Sequence, residues 1–292
     1  MIALMRDPSS CVAAFRAAMD AVRDKVTGRP ETRQSAAKRG MVSLVGAGPG
    51  SADLITLRGL ERLMAADAVF HDRLADPALL RRARPGATCI DVGKRPGCHA
   101  IPQEKINEMI VAAALGGLRV VRLKCGDPGI FARGAEEADA CNAAGVAWEI
   151  VPGVTSASAA AASARQFLTE RGVTERLILA TGHLRHDGAQ DWRATAQPGT
   201  SLACYMGVAQ AGDLRAGLLA ARWPKEALLT IVSKAQTAEE RVFHGRLDDL
   251  ERLCTAHPGL SPAMLLLRWP LEDQTRPTRC IANPASAEPA ST

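Results

Sequence analysis

A chain of 292 residues with 47% hydrophobic side chains holds enough apolar material for two compact α/β domains, which excludes disorder of the whole molecule. No apolar run approaches the roughly 20 residues that cross a bilayer, and no basic segment followed by an apolar signal core opens the chain, so a cytosolic, non-membrane protein is expected. The net charge of +5 arises from 36 basic and 31 acidic side chains without charge blocks, and aromatics are only 3%, so a small polyanionic ligand suits the chain better than nucleic acid.

Residues 1–40 differ from the rest. An Ala-rich stretch at 11–26 suggests a helix, a polar and basic stretch follows at 27–40, and the whole is expected to be an N-terminal extension. From Met41 onward, short runs of Val, Ile and Leu alternate with Ala/Leu/Arg stretches at helical spacing, the pattern of an α/β fold with parallel sheets. In the first half, strands are expected at 42–45, 68–70, 88–92, 119–123 and 148–151, with helices at 57–65, 102–114 and 135–144. In the second half, a small-residue helix is expected at 157–164. Strands at 176–180, 201–205, 228–232 and 263–267 follow, with helices at 209–221 and 247–256 between them. The expected domains are 41–154 and 155–280, ahead of a flexible Pro/Ala-rich tail at 281–292.

The eight cysteines, Cys11, Cys89, Cys98, Cys125, Cys141, Cys204, Cys254 and Cys280, form no C-x-x-C pair and no zinc spacing, so free or buried thiols and no metal are expected. The apolar run at 42–45 leads into a glycine-rich turn at Gly46, Gly48 and Gly50, where missing Cβ atoms let a ligand approach the backbone. A dinucleotide fingerprint does not fit: the third glycine falls one residue early, Pro49 interrupts the turn, and Asp72 lies past the end of its strand.

Seven segments occur in the order and spacing of one family. They are VGAGPG at 45–50, HDRL at 71–74, VGKR at 92–95 with His99 and Pro102-Gln103, RLKCGDP at 122–128, VPGVTS at 151–156, TGH at 181–183 and YMG at 205–207. On these motifs the chain resembles the uroporphyrinogen-III C-methyltransferases, a tetrapyrrole methylase family that includes the methyltransferase module of sirohaem synthase. The resemblance covers about residues 41–270. It implies an α/β, two-domain tetrapyrrole methylase fold with the cofactor, S-adenosyl-L-methionine, in a cleft between domains, and S-adenosyl-L-homocysteine as the spent product.

By the same resemblance, Pro49, Cys125, Gly126, Asp127, Ile130, Thr155, Ser156, Met206 and Ala235 are expected to line the cofactor site. Asp72 and Lys94 align with the family's proposed proton acceptor and donor. The substrate it implies, uroporphyrinogen III, carries eight carboxylates, which guanidinium groups clamp with paired hydrogen bonds. Arg73, Arg95, Arg122, Arg133 and Arg171, inside or beside the motifs, are the clamp candidates, while His99 and His183 are expected to fill hydrogen-bonding roles. The implied product is precorrin-2, by way of precorrin-1, for sirohaem, cobalamin or haem d1. A homodimer is implied as well. A methyltransferase acting on another tetrapyrrole and a non-catalytic cofactor-binding or scaffolding paralogue are the alternatives.

Four departures from the family's pattern stand out. Cys125 occupies the first glycine position of G-G-D-P, Ala132 and Ala135 replace two further glycines, Glu170 stands in place of a histidine, and His71 in place of a tyrosine. Cys125 is expected to be tolerated at the cofactor site.

Overall fold

The computed structural model describes residues 17, 20–25, 27, 40–93, 101–182 and 191–271. The chain divides into two compact units, Met1–Ser156 and Ala157–Thr292.

The first unit is a five-stranded, wholly parallel sheet in the order β3-β2-β4-β1-β5. Its strands are β1 (Met41–Gly46), β2 (Ala68–His71), β3 (Thr88–Asp91), β4 (Arg119–Lys124) and β5 (Ala147–Val151). Helices cover both faces, as parallel connections demand. Alternation along each strand sorts the side chains between the faces. Val42 and Leu44 of β1 and Val120 of β4 pack with Ile106, Met109 and Ile110 of α3 (Gln103–Leu115) and with Ala138 and Cys141 of α4 (Gly134–Ala143). Val45, Val121 and Leu123 pack on the opposite face with Leu63 of α1 (Leu57–Ala65) and Leu79 of α2 (Pro77–Leu80).

Local signals start these helices. The Thr56 hydroxyl caps α1 by accepting the Gly59 N–H at 3.1 Å, and the Asp76 carboxylate caps α2 by accepting the Ala78 N–H at 2.7 Å, with Pro77 at its first position. A helical stretch at 20–25 joins the same unit: Val22 is buried in its core, and Lys25 Nζ donates to Asp67 O at 3.3 Å and Thr88 Oγ1 at 2.8 Å. Part of the expected N-terminal extension is thus packed against the sheet.

The second unit begins in α5 (Ser156–Ser163), which starts at the last residue of the first unit. Its sheet runs β6-β7-β10-β8-β9, with β6 (Arg176–Thr181), β7 (Thr200–Tyr205), β8 (Leu228–Ser233), β9 (Arg241–Arg246) and β10 (Ala263–Trp269). Here the parallel expectation fails: only β6 and β7 are parallel, and β10 returns antiparallel to both β7 and β8, as β9 does to β8. The chain passes from β8 to β9 through a short connection, which joins neighbouring antiparallel strands directly and needs no crossover helix. Leu202, Cys204, Leu229, Ile231, Leu265 and Leu267 form the core face, packed with Leu214 and Leu218 of α6 (Ala211–Ala220), Leu250 of α7 (Leu250–Ala256) and two tryptophans, Trp192 and Trp223.

Candidate active site

Because the first sheet is parallel, β1, β2, β4 and β5 all open their C-terminal ends on one edge. The chain leaves β1 toward β2 and β3 on one side and leaves β4 toward β5 on the other. Since β1 and β4 are neighbours, this reversal of direction falls between them, the place where open α/β sheets bind ligands.

The two loops meet there. Gly48 N–H donates to Gly126 O at 3.3 Å and Gly126 N–H to Gly48 O at 2.9 Å. The approach leaves no room for side chains: a Cβ on Gly46 would lie 2.6 Å from Gly153 Cα. Asp127 ties the loop after β4 to the loop after β5, its Oδ1 accepting Gly129 N–H within its own loop at 2.7 Å and its Oδ2 accepting Gly153 N–H at 2.9 Å. Pro49 and Gly126 are buried beside this crossing, and Cys125, Asp127, Ile130, Thr155 and Ser156 are half-buried. Seven of the nine expected cofactor residues therefore share one edge of one sheet. The other two lie on the second unit: Met206 follows β7 and Ala235 follows β8, strands that run the same way on either side of β10. Met206 is half exposed with φ +54°, and Ala235 sits between Lys234 and Gln236, both at positive φ.

Cys125 is accommodated for a backbone reason. Gly126, at φ +73°, occupies the left-handed region that favours glycine, whereas Cys125 does not adopt positive φ. Burial, reinforced by the nearby Asp72 charge, pushes the Cys125 thiol up to about 11, so it is a protonated, poorly nucleophilic group at neutral pH.

Asp72 follows β2 on the same edge, where its N–H donates to Leu123 O at 3.2 Å. Its side chain is 32% exposed, and Oδ1 accepts a hydrogen bond from the Arg122 guanidinium. Arg122 corrects the sequence reading. Expected as a substrate clamp, it is only 3% exposed, and its nitrogens are committed to Asp72, to Glu137 Oε1 at 2.8 Å and to the carbonyls of Phe70 and Leu123. Burial works against its charge, but Asp72 and Glu137 outweigh that and hold its pKa above the usual arginine value.

Of the three groups behind Asp72, Glu137 went unmarked in the sequence, while Lys124 and Gln103 lie inside quoted motifs without a role assigned to them. Glu137 is fully buried, with Lys124 Nζ at 3.0 and 2.9 Å from its two oxygens and Gln103 Nε2 at 3.3 Å from Oε1. Burial and the neighbouring Arg122 lower the Lys124 pKa, against the pull of Glu137 and Asp72. A signal was present: cations at positions 122 and 124, set among the apolar Val120, Val121 and Leu123, share a face of the strand and require a buried anion.

The other clamp candidates differ in their freedom. Arg73 is exposed next to Asp72. Arg133 is exposed at φ +56° and paired with Glu136 at 2.8 and 2.6 Å. Arg171 is exposed on the second unit, beside Glu170, whose Oε2 accepts from buried Arg268 at 3.1 Å. Lys94, Arg95, His99 and His183 lie outside the described residues.

Residues 41–251 match the family model of the Tetrapyrrole (Corrin/Porphyrin) Methylases. The chain belongs to this family. It is 41% identical over 230 residues to the uroporphyrinogen-III C-methyltransferase of Paracoccus denitrificans, an alignment covering 78% of this chain and 80% of that protein. It is 44% identical over 224 residues to a siroheme synthase of Edwardsiella ictaluri, covering 76% of this chain but only 49% of the relative; the chain thus spans about half the length of the siroheme synthases it matches. The crystal structure of uroporphyrin-III C-methyl transferase from Thermus thermophilus complexed with S-adenyl homocysteine superposes with a TM-score of 0.67 at 34% identity, covering 78% of this chain and 92% of that one. The two α/β units are accordingly those of the tetrapyrrole methylase fold.

Proposed function

We propose that this chain is an S-adenosyl-L-methionine-dependent methyltransferase that methylates two ring carbons of uroporphyrinogen III, giving precorrin-2 by way of precorrin-1. The observation that carries the reading is the convergence of the Gly48/Gly126 crossing and Asp72 on the C-terminal edge of one parallel sheet. The relatives' own activities, named over the same span of sequence, support it.

The first unit's share of the expected cofactor residues fits a sulfonium nucleoside. It contains one carboxylate, Asp127, and no cation, and Gly126, at φ +73°, brings backbone without a side chain to the crossing. The cofactor supplies an electrophilic methyl group, which passes to a nucleophilic ring carbon while the C–S electron pair returns to sulfur. The chain's contribution to that displacement is alignment, worth several orders of magnitude when reacting atoms are held in line. Attack through carbon leaves the macrocycle with one positive charge, which it sheds as a proton, and Asp72 accepts that proton through the carboxylate oxygen that Arg122 does not hold; Lys94 is the donor of the proton that the macrocycle regains. Arg73, Arg95, Arg133 and Arg171 meet the substrate carboxylates, and Arg122 serves Asp72 instead. A cytosolic homodimer belongs to the same proposal.

The test is anaerobic incubation of the protein with uroporphyrinogen III and methyl-labelled S-adenosyl-L-methionine, followed by mass analysis of the oxidised product. Two added methyl groups are expected. Labelling only of an already methylated corrinoid would overturn the substrate, and cofactor binding with no transfer to any tetrapyrrole would overturn the activity.

A further inference from the structure

The charges behind Asp72 form a chain with a direction. Glu137 lies at its inner end, wholly out of water, with Oε1 accepting from Arg122 Nε at 2.8 Å, Lys124 Nζ at 3.0 Å and Gln103 Nε2 at 3.3 Å, and with Oε2 accepting from Lys124 Nζ at 2.9 Å. These four hydrogen bonds come from three donor groups, three of them at Oε1 and one at Oε2, so Glu137 is held at both oxygens. Arg122 is the middle link. With Nε bound to Glu137, its planar fork sends one terminal nitrogen to Phe70 O at 3.4 Å and Leu123 O at 3.2 Å and the other to Asp72 Oδ1. At the outer end, Asp72 is the one member open to solvent. Two cations and two carboxylates bring the set to zero net charge.

An ion pair that only neutralised Lys124 would need no second cation and no link to the sheet edge. What the arrangement adds is orientation: Glu137 fixes the Nε side of a rigid guanidinium, and the opposite side then has a single place to point. We propose that Glu137 is a positioning residue for proton transfer, acting through Arg122 to hold Asp72 Oδ1 so that Oδ2 faces the substrate. This rests on the reading of Asp72 as the proton acceptor. Glu137 touches no reacting atom, and Lys124 serves to hold Glu137.

Glu137→Gln alone leaves two buried cations against one amide and is at risk of unfolding. The informative variant is Glu137→Gln with Lys124→Met, which removes one charge of each sign. It is compared with the parent chain in two backgrounds, Asp72 and Asp72→Asn, by labelled methyl transfer at saturating cofactor and by urea unfolding. With Asp72 present, kcat is expected to fall about tenfold while KM and cofactor Kd change less than about twofold; in the Asp72→Asn background the residual kcat changes less than about twofold, because residues acting as one unit are non-additive. Equal losses in both backgrounds, or none in either, would reduce Glu137 to a structural ion pair. If the parent binds S-adenosyl-L-methionine yet transfers no methyl group to uroporphyrinogen III, the functional reading fails by itself. The four urea midpoints then test the link itself: coupled shifts between positions 137 and 72 uphold the hold of Glu137 on Asp72 through Arg122, and additive shifts sink it.

Discussion

Strand β2 ends in an aspartate on either side, Asp67 just before it and Asp72 just after it, and each is paired with an arginine. At the N-terminal end Asp67 is nearly buried and its two oxygens are both engaged: Oδ1 by Arg84, Oδ2 by the Arg119 N–H at 2.8 Å and by Arg119 Nε at 3.5 Å. At the C-terminal end the Asp72 side chain is one-third exposed, and among the described residues its carboxylate is hydrogen-bonded to Arg122 alone. The same residue type on the same strand thus does two jobs. One carboxylate is saturated and closes the sheet; the other is held at one oxygen and left open where a parallel sheet binds ligands.

The largest expected effect falls on the open end. Asp72→Asn should lower labelled methyl transfer by roughly a hundredfold or more, the usual worth of a positioned base, with little change in the urea midpoint. The closed end should respond the other way. Asp67→Ala strands the Arg119 N–H and two guanidinium partners that remain partly in water, so unfolding free energy should fall by about 1–3 kcal/mol while activity per folded molecule stays unchanged. A loss of turnover without a loss of stability in Asp67→Ala would erase the contrast.

Acid should reveal the closed end too. Burial alone would raise the Asp67 pKa, but the Arg119 N–H and the charges of Arg84 and Arg119 overcome it and hold the folded value below the ordinary 3.8. A carboxylate depressed in this way contributes its full stability above pH 3.8 and loses it as pH falls through the lower folded value. The difference in urea midpoint between parent and Asp67→Asn should therefore be constant above that range and shrink below it; a difference that grew on acidification would reverse the assignment. The smallest effect concerns the loop beside Asp72. Cys125→Gly should leave S-adenosyl-L-methionine affinity unchanged or weaker by calorimetry, since the backbone at 125 has no need of glycine; a gain above about tenfold would show that the thiol obstructs the site.

Much of the architecture was legible locally. The strand expected at 42–45 is Met41–Gly46, the helix at 57–65 is Leu57–Ala65 and the helix at 209–221 is Ala211–Ala220, because apolar periodicity and capping residues act within one or two turns. The strand Arg241–Arg246 was missed, since an edge strand of sequence RVFHGR carries polar residues and a glycine and owes its conformation to pairing with β8. One-turn helix Pro77–Leu80 was missed because it is shorter than the helical period can register. The 247–256 segment is a short 3₁₀ turn, Leu247–Asp249, leading into the helix Leu250–Ala256.

In the site, the glycine loops and Asp72 were visible as motifs, whereas the role of Arg122 was not. In sequence it is one more arginine beside a motif, and only α4, packed across the face of β4, brings Glu137 to its Nε and turns its fork toward Asp72. Strand direction in the second unit was undecidable for the same reason, as the apolar run at 263–267 is the same whichever way it lies between β7 and β8. The sequence by itself determined where strands and helices form, which loops bear glycine and which family the motifs belong to, for these depend on neighbours within a few residues. Strand order, strand direction and the pairing of buried charges were decided by the tertiary structure, because each joins groups distant in the chain and gains its energy only when burial has removed water from between them.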